Sequence, residues 1–398
     1  MEIAIIGGGA SGLFAAIAAK NESTTVTVYE KEKRVGKKIL ATGNGCCNMT
    51  NINAGENDYH GGDVSFIKGA INRFWVSETL DMFSELGILW KEESEGKVYP
   101  YSNNASSVLD VLRRRLDEIG VNTLCDTGIV SIKKEGNTFT LKDNNGNIRI
   151  ADKVIISTGG KAGASLGSDG SGYTLLKGFG HTITDVSPSL VQIKTETETV
   201  RKLKGIKVNA KVTLGDKFRN GEVLFTDYGI SGPPVFWLSS YLGDEKEISI
   251  DIMPEYDFNE VYNMIKTRCI YQYNTPLEDF FVGMLNKRVG QAILKHVGVE
   301  PLSRPAKTLT EKEIKRVTSA IKGLKLKIQG KASWNNAQVT KGGAAVGEFD
   351  PVTMESKRVK GLYACGEVLD IDGDCGGYNL QWAWSSGYLA GSAASGKG

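Results

Sequence analysis

The stretch Ile3-Ala4-Ile5-Ile6-Gly7-Gly8-Gly9-Ala10-Ser11-Gly12 decides the fold of this chain. Four apolar residues read as a buried strand, the glycines as a tight turn, and the small residues from about Ser11 to Lys20 as a helix. A second β-branched strand, Thr24 to Tyr29, ends at Glu30. Strand, glycine turn, helix and strand together make a Rossmann-type βαβ opening, and Gly7-Gly8-Gly9-Ala10-Ser11-Gly12 satisfies G-x-G-x-x-G in that setting. The first glycine of such a turn allows the bend, the second lets backbone approach a diphosphate, and the third lets helix and strand pack closely. The helix N-terminus then offers free N–H groups and a positive dipole end to the phosphates. Glu30 would accept hydrogen bonds from ribose hydroxyls and repel a 2′-phosphate, so the expected dinucleotide is FAD or NAD. Gly7, Gly9, Ala10, Ser11, Gly12 and Glu30 are the candidate contacts.

The far end of the chain favours FAD, which is long enough to need a second segment around its ribityl chain and ring. Gly361-Leu362-Tyr363-Ala364-Cys365-Gly366-Glu367 reads as a short buried strand ending in a glycine and a carboxylate, with Asp370 as a further acceptor. Gly376-Gly377-Tyr378-Asn379-Leu380-Gln381 then opens a long small-residue helix, about Tyr378 to Ala394. Its N-terminus would present donors and positive dipole to a reduced flavin, which carries negative charge near N1 and C2=O.

Between these ends lies a glycine- and asparagine-rich loop, Gly36 to Gly62, too long for a simple connection and therefore expected to be functional. Amphipathic helices follow around Ser77 to Leu86 and Ala105 to Ile119. Short strands come next, then the apolar run Val154-Ile155-Ile156 before Thr158-Gly159-Gly160. The chain alternates as β-structure from Pro188 to about Asp251 and turns helical from about Asn259 to Gly323, with a capping box at Thr310 and Glu313. No second dinucleotide fingerprint is present: Gly159 to Gly163 has the wrong spacing, and Gly167 to Gly172 lacks a preceding strand. The expected fold is α/β: a discontinuous FAD-binding domain (1–190 and 335–398) interrupted by a β-rich domain (191–255 and about 325–334) and a small helical domain (256–324).

Of 398 residues, 48 are Lys or Arg and 46 Asp or Glu, so a net charge of +2 gives no global field for nucleic acid or an acidic membrane. Six cysteines in so long a chain do not form a secreted disulfide framework. A cytoplasmic protein without signal peptide, membrane span or metal is expected, acting on a small molecule.

Several segments resemble the BaiN-like family of bacterial and archaeal FAD proteins, nearly from end to end. They are Gly36-Lys37-Lys38-Ile39-Leu40 through Gly45-Cys46-Cys47-Asn48-Met49-Thr50-Asn51, Thr158-Gly159-Gly160, Gly170-Ser171-Gly172-Tyr173, Leu224 to Pro233, Val339-Thr340-Lys341-Gly342-Gly343, and Gly366-Glu367-Val368-Leu369-Asp370 through Gly376 to Gly387. The resemblance implies an NAD(P)-linked, FAD-dependent oxidoreductase. It places Ser11, Glu30, Lys31, Lys38, Asn48 and Thr50 on the cofactor from the first half, with Thr42 and Gly45 in the same loop. From the second half it places Gly366, Glu367, Asp370, Asn379 and Leu380 there, beside Gly377 and Tyr378, which the helix start itself makes candidates. Thr158 and Gly159 line the same site, and Val130 offers backbone to the adenine. Members of the family include a flavoprotein linked to bile-acid dehydroxylation and an aminoacetone oxidase. Many members carry Arg where Cys46 stands and His where Asp227 stands, so roles tied to those side chains do not transfer.

Flavin chemistry requires no protein nucleophile, and no catalytic residue is assigned. His60, His181 and His296 do not cluster in sequence and read as surface or packing residues. Asp227 and Tyr228 lie in a Gly/Pro-rich loop that either reaches a substrate or forms a tight turn. Adjacent Cys46 and Cys47 would bridge only with strain, and Cys375 is a lone thiol. The basic run Arg201, Lys202, Lys204, Lys207 and Lys211 reads as a solvated strand face. The expected activity is NAD(P)H-linked reduction, with NAD(P)H docking transiently, of a small or steroid-sized substrate and an activated C=C bond favoured. The rivals are an oxygen-dependent amine oxidase and a non-catalytic flavin-bearing protein.

Overall fold

Five parallel strands carry the N-terminal glycine turn. Their order across the sheet is Leu362–Ala364, Lys153–Ile156, Glu2–Ile6, Thr25–Tyr29, Asn122–Leu124 in the computed structural model, which describes residues 1–397. Ile5, Val26, Val28, Ile155 and Ile156 are fully buried, as strands covered on both faces require. Strand Leu362–Ala364 pairs with Lys153–Ile156, so the C-terminal segment returns to the same sheet that opens the chain. The helix after the glycine turn is Ala10–Ala19, one residue earlier than the sequence pattern suggested at each end. A three-stranded antiparallel meander, Ile129–Glu135, Thr138–Asp143 and Ile148–Ala151, stands beside this sheet in sequence.

The closing helix, Tyr378–Ala394, packs along Ala10–Ala19 at very short range. A Cβ on Gly391 would lie 2.2 Å from the Ala15 carbonyl oxygen, and one on Gly387 would lie 2.3 Å from that of Ser11. Two glycines one helical turn apart thus let two backbones touch, and larger side chains at either position would separate them. Trp384, fully buried, fills the space beside this contact against Phe14 and Phe83, with ring centroids 4.6 and 5.3 Å away. These strands and helices belong to one compact unit, Met1–Ser189 together with the chain from Trp334 onwards.

The second unit, Leu190–Ser333, has its own core. Six antiparallel strands close into a barrel in the order Ile193–Thr195, Gly229–Ser231, Lys217–Phe225, Lys207–Leu214, Glu247–Asp251, Leu324–Lys331. The helices Phe258–Tyr271, Lys287–His296 and Glu311–Lys322 are inserted between the last two of those strands. The capping box forms as its sequence implies: Thr310 Oγ1 accepts from the Glu313 N–H, and Glu313 Oε2 accepts from the Thr310 N–H. Among the described residues no helix is long and apolar enough to cross a membrane.

Candidate cofactor site

The glycine turn has the geometry of a diphosphate cradle. Leu13 N–H is the first to return to the Gly9 carbonyl, at 3.0 Å, which leaves the earlier N–H groups of the helix outside its ladder. Nothing lies within 4 Å of where a Cβ on Gly9 would stand, so the outer side of the turn is open. Gly12 faces the opposite way: a Cβ there would be 2.0 Å from the Gly7 carbonyl oxygen and 2.7 Å from Ser157 Oγ. Glu30 Oε2 accepts from Gly8 N–H at 2.8 Å and Oε1 from Glu32 N–H at 2.9 Å. The carboxylate is thereby fixed at the edge of the turn, with lone pairs left for ribose hydroxyls.

The two ends of the chain meet beside this turn. Gly366 packs on Ser11, a Cβ there falling 2.5 Å from Ser11 Oγ. Glu367 forms an ion pair with Lys38 at 2.7 Å and accepts from Thr340 N–H at 2.8 Å, while Lys38 also donates to the Ala162 carbonyl at 3.0 Å. Thr340 Oγ1 accepts from the N–H groups of Lys161 and Ala162 at 2.8 and 2.9 Å. Thr340, not singled out as a contact from sequence, is therefore the residue that orders the chain following Thr158-Gly159. Its signal was the glycine-flanked stretch Val339 to Gly343.

The start of the closing helix is held by side chains from three segments. Gly377 is its N-cap, and the Gln381 N–H closes the first turn onto the Gly377 carbonyl at 3.0 Å. Asn379 accepts from Gly373 N–H at 2.8 Å and donates to the carbonyls of Gly373 and Asp374 at 2.7 and 3.2 Å. Tyr59 donates its hydroxyl to the Tyr378 carbonyl at 2.9 Å, and Thr50 donates to Gln381 Oε1 at 2.5 Å. Thr50 and Asn379 thus spend their side chains on orienting the helix start. Leu380 is half-buried against the core.

Two buried side chains in this band lack partners. Asn48 Oδ1, which lies 3.0 Å from the position of a Cβ on Gly377, accepts no hydrogen bond, and neither does either oxygen of Asp372. A buried polar atom left unpaired costs about 1–3 kcal/mol, so such atoms are expected where a polar ligand belongs. An open helix N-terminus, a fixed carboxylate and orphaned acceptors along one band fit a dinucleotide with a hydroxylated linker, as FAD is.

The remaining candidates are spread around that band. Lys31 pairs with Asp169 at 2.6 Å, and Thr42 donates to the Ile39 carbonyl at 2.6 Å. Gly45 has open space around it. Val130 is exposed at a bulge in its strand, between the pairings of Ile129 and Ser131, which leaves its backbone unpaired in the ladder. Gly128, just before it, lies against Lys31 at the end of the second strand. Asp370 is buried, which pushes its carboxyl above the usual range against the Thr184 hydroxyl and Gly62 N–H that hold it down.

Of the reactive side chains, the cysteines, Asp227 and His181 follow readings that the sequence offered. Cys47 and Cys365 are buried, which pushes each thiol up to about 12, and all six cysteines are free. Asp227 sits in a tight turn, Thr226 N–H returning to the Gly229 carbonyl at 2.9 Å, and its exposed carboxylate pairs with Lys204 at 2.9 Å. The Lys204 partner holds it below the usual carboxylate range, which makes it a poor proton carrier near neutral pH. His181 is a packing residue, fixed by Glu348 and Ser356 at 2.7 and 2.8 Å and stacked on Phe349. His60 is different. Its Nε2 meets Asp374 Oδ1 at 2.7 Å beside the closing helix, a pairing over 314 positions that no local pattern reveals.

Comparison with known proteins agrees with this architecture. The family model described as HI0933-like protein Rossmann domain matches residues 1–393. The 3-dehydro-bile acid delta(4,6)-reductase of Clostridium scindens is 39% identical over 408 aligned residues, covering 98% of each chain. The ribosomal RNA dihydrouridine synthase of Escherichia coli K12 is 31% identical, covering 96% of this chain and 95% of its own. That of Haemophilus influenzae is also 31% identical, covering 96% of both.

Proposed function

Since this chain belongs to the HI0933-like Rossmann family, we propose that it is an FAD-dependent oxidoreductase that saturates a C=C bond conjugated to a carbonyl, with NAD(P)H as the source of hydride. The observation that carries this reading is the end-to-end match to a protein named for reducing such a bond, over the same residues that build the band described above. The dihydrouridine synthases, as named, also saturate a C=C bond next to a carbonyl, so the two kinds of relative share one reaction type.

When bound, FAD supplies hydride transfer at its ring. The residues that would hold it are the glycine turn with Ser11, Glu30 at the ribose, Lys38 and Glu367 along the linker, and the Gly377 helix start at the ring. The chain's own contributions are placement and electrostatics. The Lys38–Glu367 pair and Thr340 fix the linker segments, and the dipole of Tyr378–Ala394 favours negative charge at its N-terminus. Buried Thr50 and Gln381 keep that helix start from shifting, and in-line hydride transfer is sensitive to displacements of an ångström.

Two substrate classes follow from the relatives: a steroid-sized enone, and a uracil base within RNA. The higher identity favours the enone. One feature favours RNA: the unit Leu190–Ser333 carries 23 Lys and Arg against 17 Asp and Glu, a net of +6 concealed by the +2 of the whole chain. It also holds a groove of about 850 Å³ lined by His296, Lys312, Lys315, Arg316 and Lys325, with Glu311 as its only carboxylate. Phosphate-rich ligands are drawn to such surfaces. The test is to reduce the FAD-loaded protein without oxygen and add a 3-oxo-4,6-diene steroid or an unmodified ribosomal RNA fragment. Return of oxidised flavin absorbance with one of them, together with its saturated product, names the class; return with neither overturns the C=C reading.

A further inference from the structure

Across the barrel of Leu190–Ser333, four residues stand directly opposite one another on successive strands: Phe218 faces Thr213, Thr213 faces Ser249, and Ser249 faces Lys325. Residues opposed in this way share one face of a sheet, and neighbouring strands lie about 5 Å apart, so the row runs roughly 15 Å over the surface. Val212, Leu214, Ile248, Ile250, Leu324 and Leu326, which flank it along the strands, are buried in the barrel core. Successive residues of a strand point to opposite faces, so the row itself lies on the outside. Thr213 and Ser249 are half-buried, and Lys325 is exposed. Phe218 is 54% exposed, a large apolar ring left out of the core.

Both ends of the row are cationic. The Lys211 ammonium stands 4.1 Å from the centre of the Phe218 ring. At the other end, Lys325 lines the groove described above together with Lys312, Lys315 and Arg316 of helix Glu311–Lys322. Lys312 and Arg316 form no ion pair among the described residues, and Lys315 has only Glu311, at 3.9 Å. The bordering carboxylates do little to cancel this charge: Asp251 is held by Lys322 at 2.7 Å, Glu311 accepts from the Tyr262 hydroxyl at 2.8 Å, and Glu247 reaches Lys325 only at 3.5 Å. An exposed ring beside a track of cations is the combination that binds a nucleic-acid single strand, with bases stacked on the aromatic face and phosphates neutralised along the track. The hydroxyls of Thr213 and Ser249 lie between ring and groove, where they can meet ribose hydroxyls.

We propose that this face of the barrel is a docking surface for single-stranded RNA, on which a base stacks against Phe218 and the backbone crosses Thr213 and Ser249 to the cations of the groove. The surface goes beyond the reductase reading and does not depend on which C=C bond the flavin reduces. Lys211 and Lys325 neutralise phosphates at the two ends of the row, and Lys312 and Arg316 extend the track. A duplex would keep its bases stacked inside and leave Phe218 without a partner, so the strand must be unpaired where it crosses the ring. Binding should tolerate many sequences, since every base offers a stacking face, and should weaken steeply with salt.

Fluorescence anisotropy of a dye-labelled, unstructured RNA of about 12 nucleotides, titrated with the FAD-loaded protein at several salt concentrations, tests this. Phe218→Ala should weaken binding by about fivefold or more, and Phe218→Leu, which keeps apolar bulk without the ring, should do the same. Lys312→Glu combined with Arg316→Glu should weaken it by about tenfold or more and flatten its salt dependence. Arg113→Glu combined with Arg114→Glu reverses the same charge at exposed sites of helix Ala105–Glu118 in the other unit, and should leave affinity within about twofold of wild type. All of these side chains are exposed, so the variants should keep the wild-type circular dichroism. No binding at low salt, an equal loss in the Arg113 and Arg114 variant, or DNA of the same sequence binding as tightly as RNA would each overturn the proposal. Phe218-dependent RNA binding by a protein whose reduced flavin no C=C acceptor oxidises would instead keep the surface and reject the reductase reading.

Discussion

Lys38 and Glu367, 329 positions apart, meet as an ion pair at 2.7 Å, and the Lys38 ammonium also donates to the Ala162 carbonyl. The pair joins the loop after the second strand to the segment after the last one, and so fastens the N- and C-terminal parts of the band together, as Thr50 and Gln381 do at the helix start. Both side chains are mostly buried, which makes loss of one partner costlier than at a surface pair.

Lys38→Met and Glu367→Gln should therefore each weaken FAD binding by tenfold or more while the apoprotein still folds. Titration of apoprotein with FAD, followed by quenching of flavin fluorescence, measures this. Affinity within twofold of wild type would place the pair outside the cofactor site.

Gly391→Ala tests the helix contact. Its new methyl would stand 2.2 Å from the Ala15 carbonyl, so helix Tyr378–Ala394 must move off Ala10–Ala19. A loss of about 1–3 kcal/mol is expected from urea unfolding. Gly347→Ala, where nothing lies within 4 Å, should change stability by less than about 0.5 kcal/mol.

The stability of the apoprotein should fall as pH rises through the range that ionises Asp372. A buried carboxyl raised from 3.8 to about 6 binds its proton more tightly in the folded chain than in the unfolded one. Its contribution is fully favourable below pH 4 and is lost as the pH rises to 6 and above. A difference of that size in proton affinity corresponds to about 3 kcal/mol. Asp372→Asn removes this slope and should stabilise the apoprotein at pH 7 relative to wild type. Equal pH dependence of the two proteins in chemical denaturation between pH 4 and 7 would show that Asp372 is not held this way.

Among the thiols, Cys47 and Cys365 should resist a disulfide reagent at pH 8 in the native protein and react only on unfolding, because burial keeps both protonated. Rapid labelling of Cys47 would reopen a redox role for the Cys46-Cys47 pair.

The opening βαβ unit, the closing helix and the Thr310 capping box were legible because each is coded within one contiguous stretch of sequence. The closed barrel was not. Alternating residues announce half-buried strands, but closure depends on Ile193–Thr195 finding Leu324–Lys331, with the whole helical insertion between them in sequence. The loop Gly36 to Gly62 was read as functional, while its short strands Thr50–Asn51 and Tyr59–Gly61 find partners in distant segments, Lys97–Pro100 and Ile371–Gly373. The same distance hid His60: taken alone it is a lone histidine, and only the pairing with Ile371–Gly373 sets it against Asp372 and Asp374.

If hydride passes from a nicotinamide to the flavin and on to a conjugated C=C bond, the first of those transfers can be watched by itself. The FAD-loaded protein is mixed with NADH, and separately with NADPH, in the absence of oxygen while flavin absorbance is followed. Rapid bleaching by one of the two is the expected result. Bleaching by neither, with loss of colour on adding an amine and peroxide on admitting air, would refute the reductase route and identify an amine oxidase.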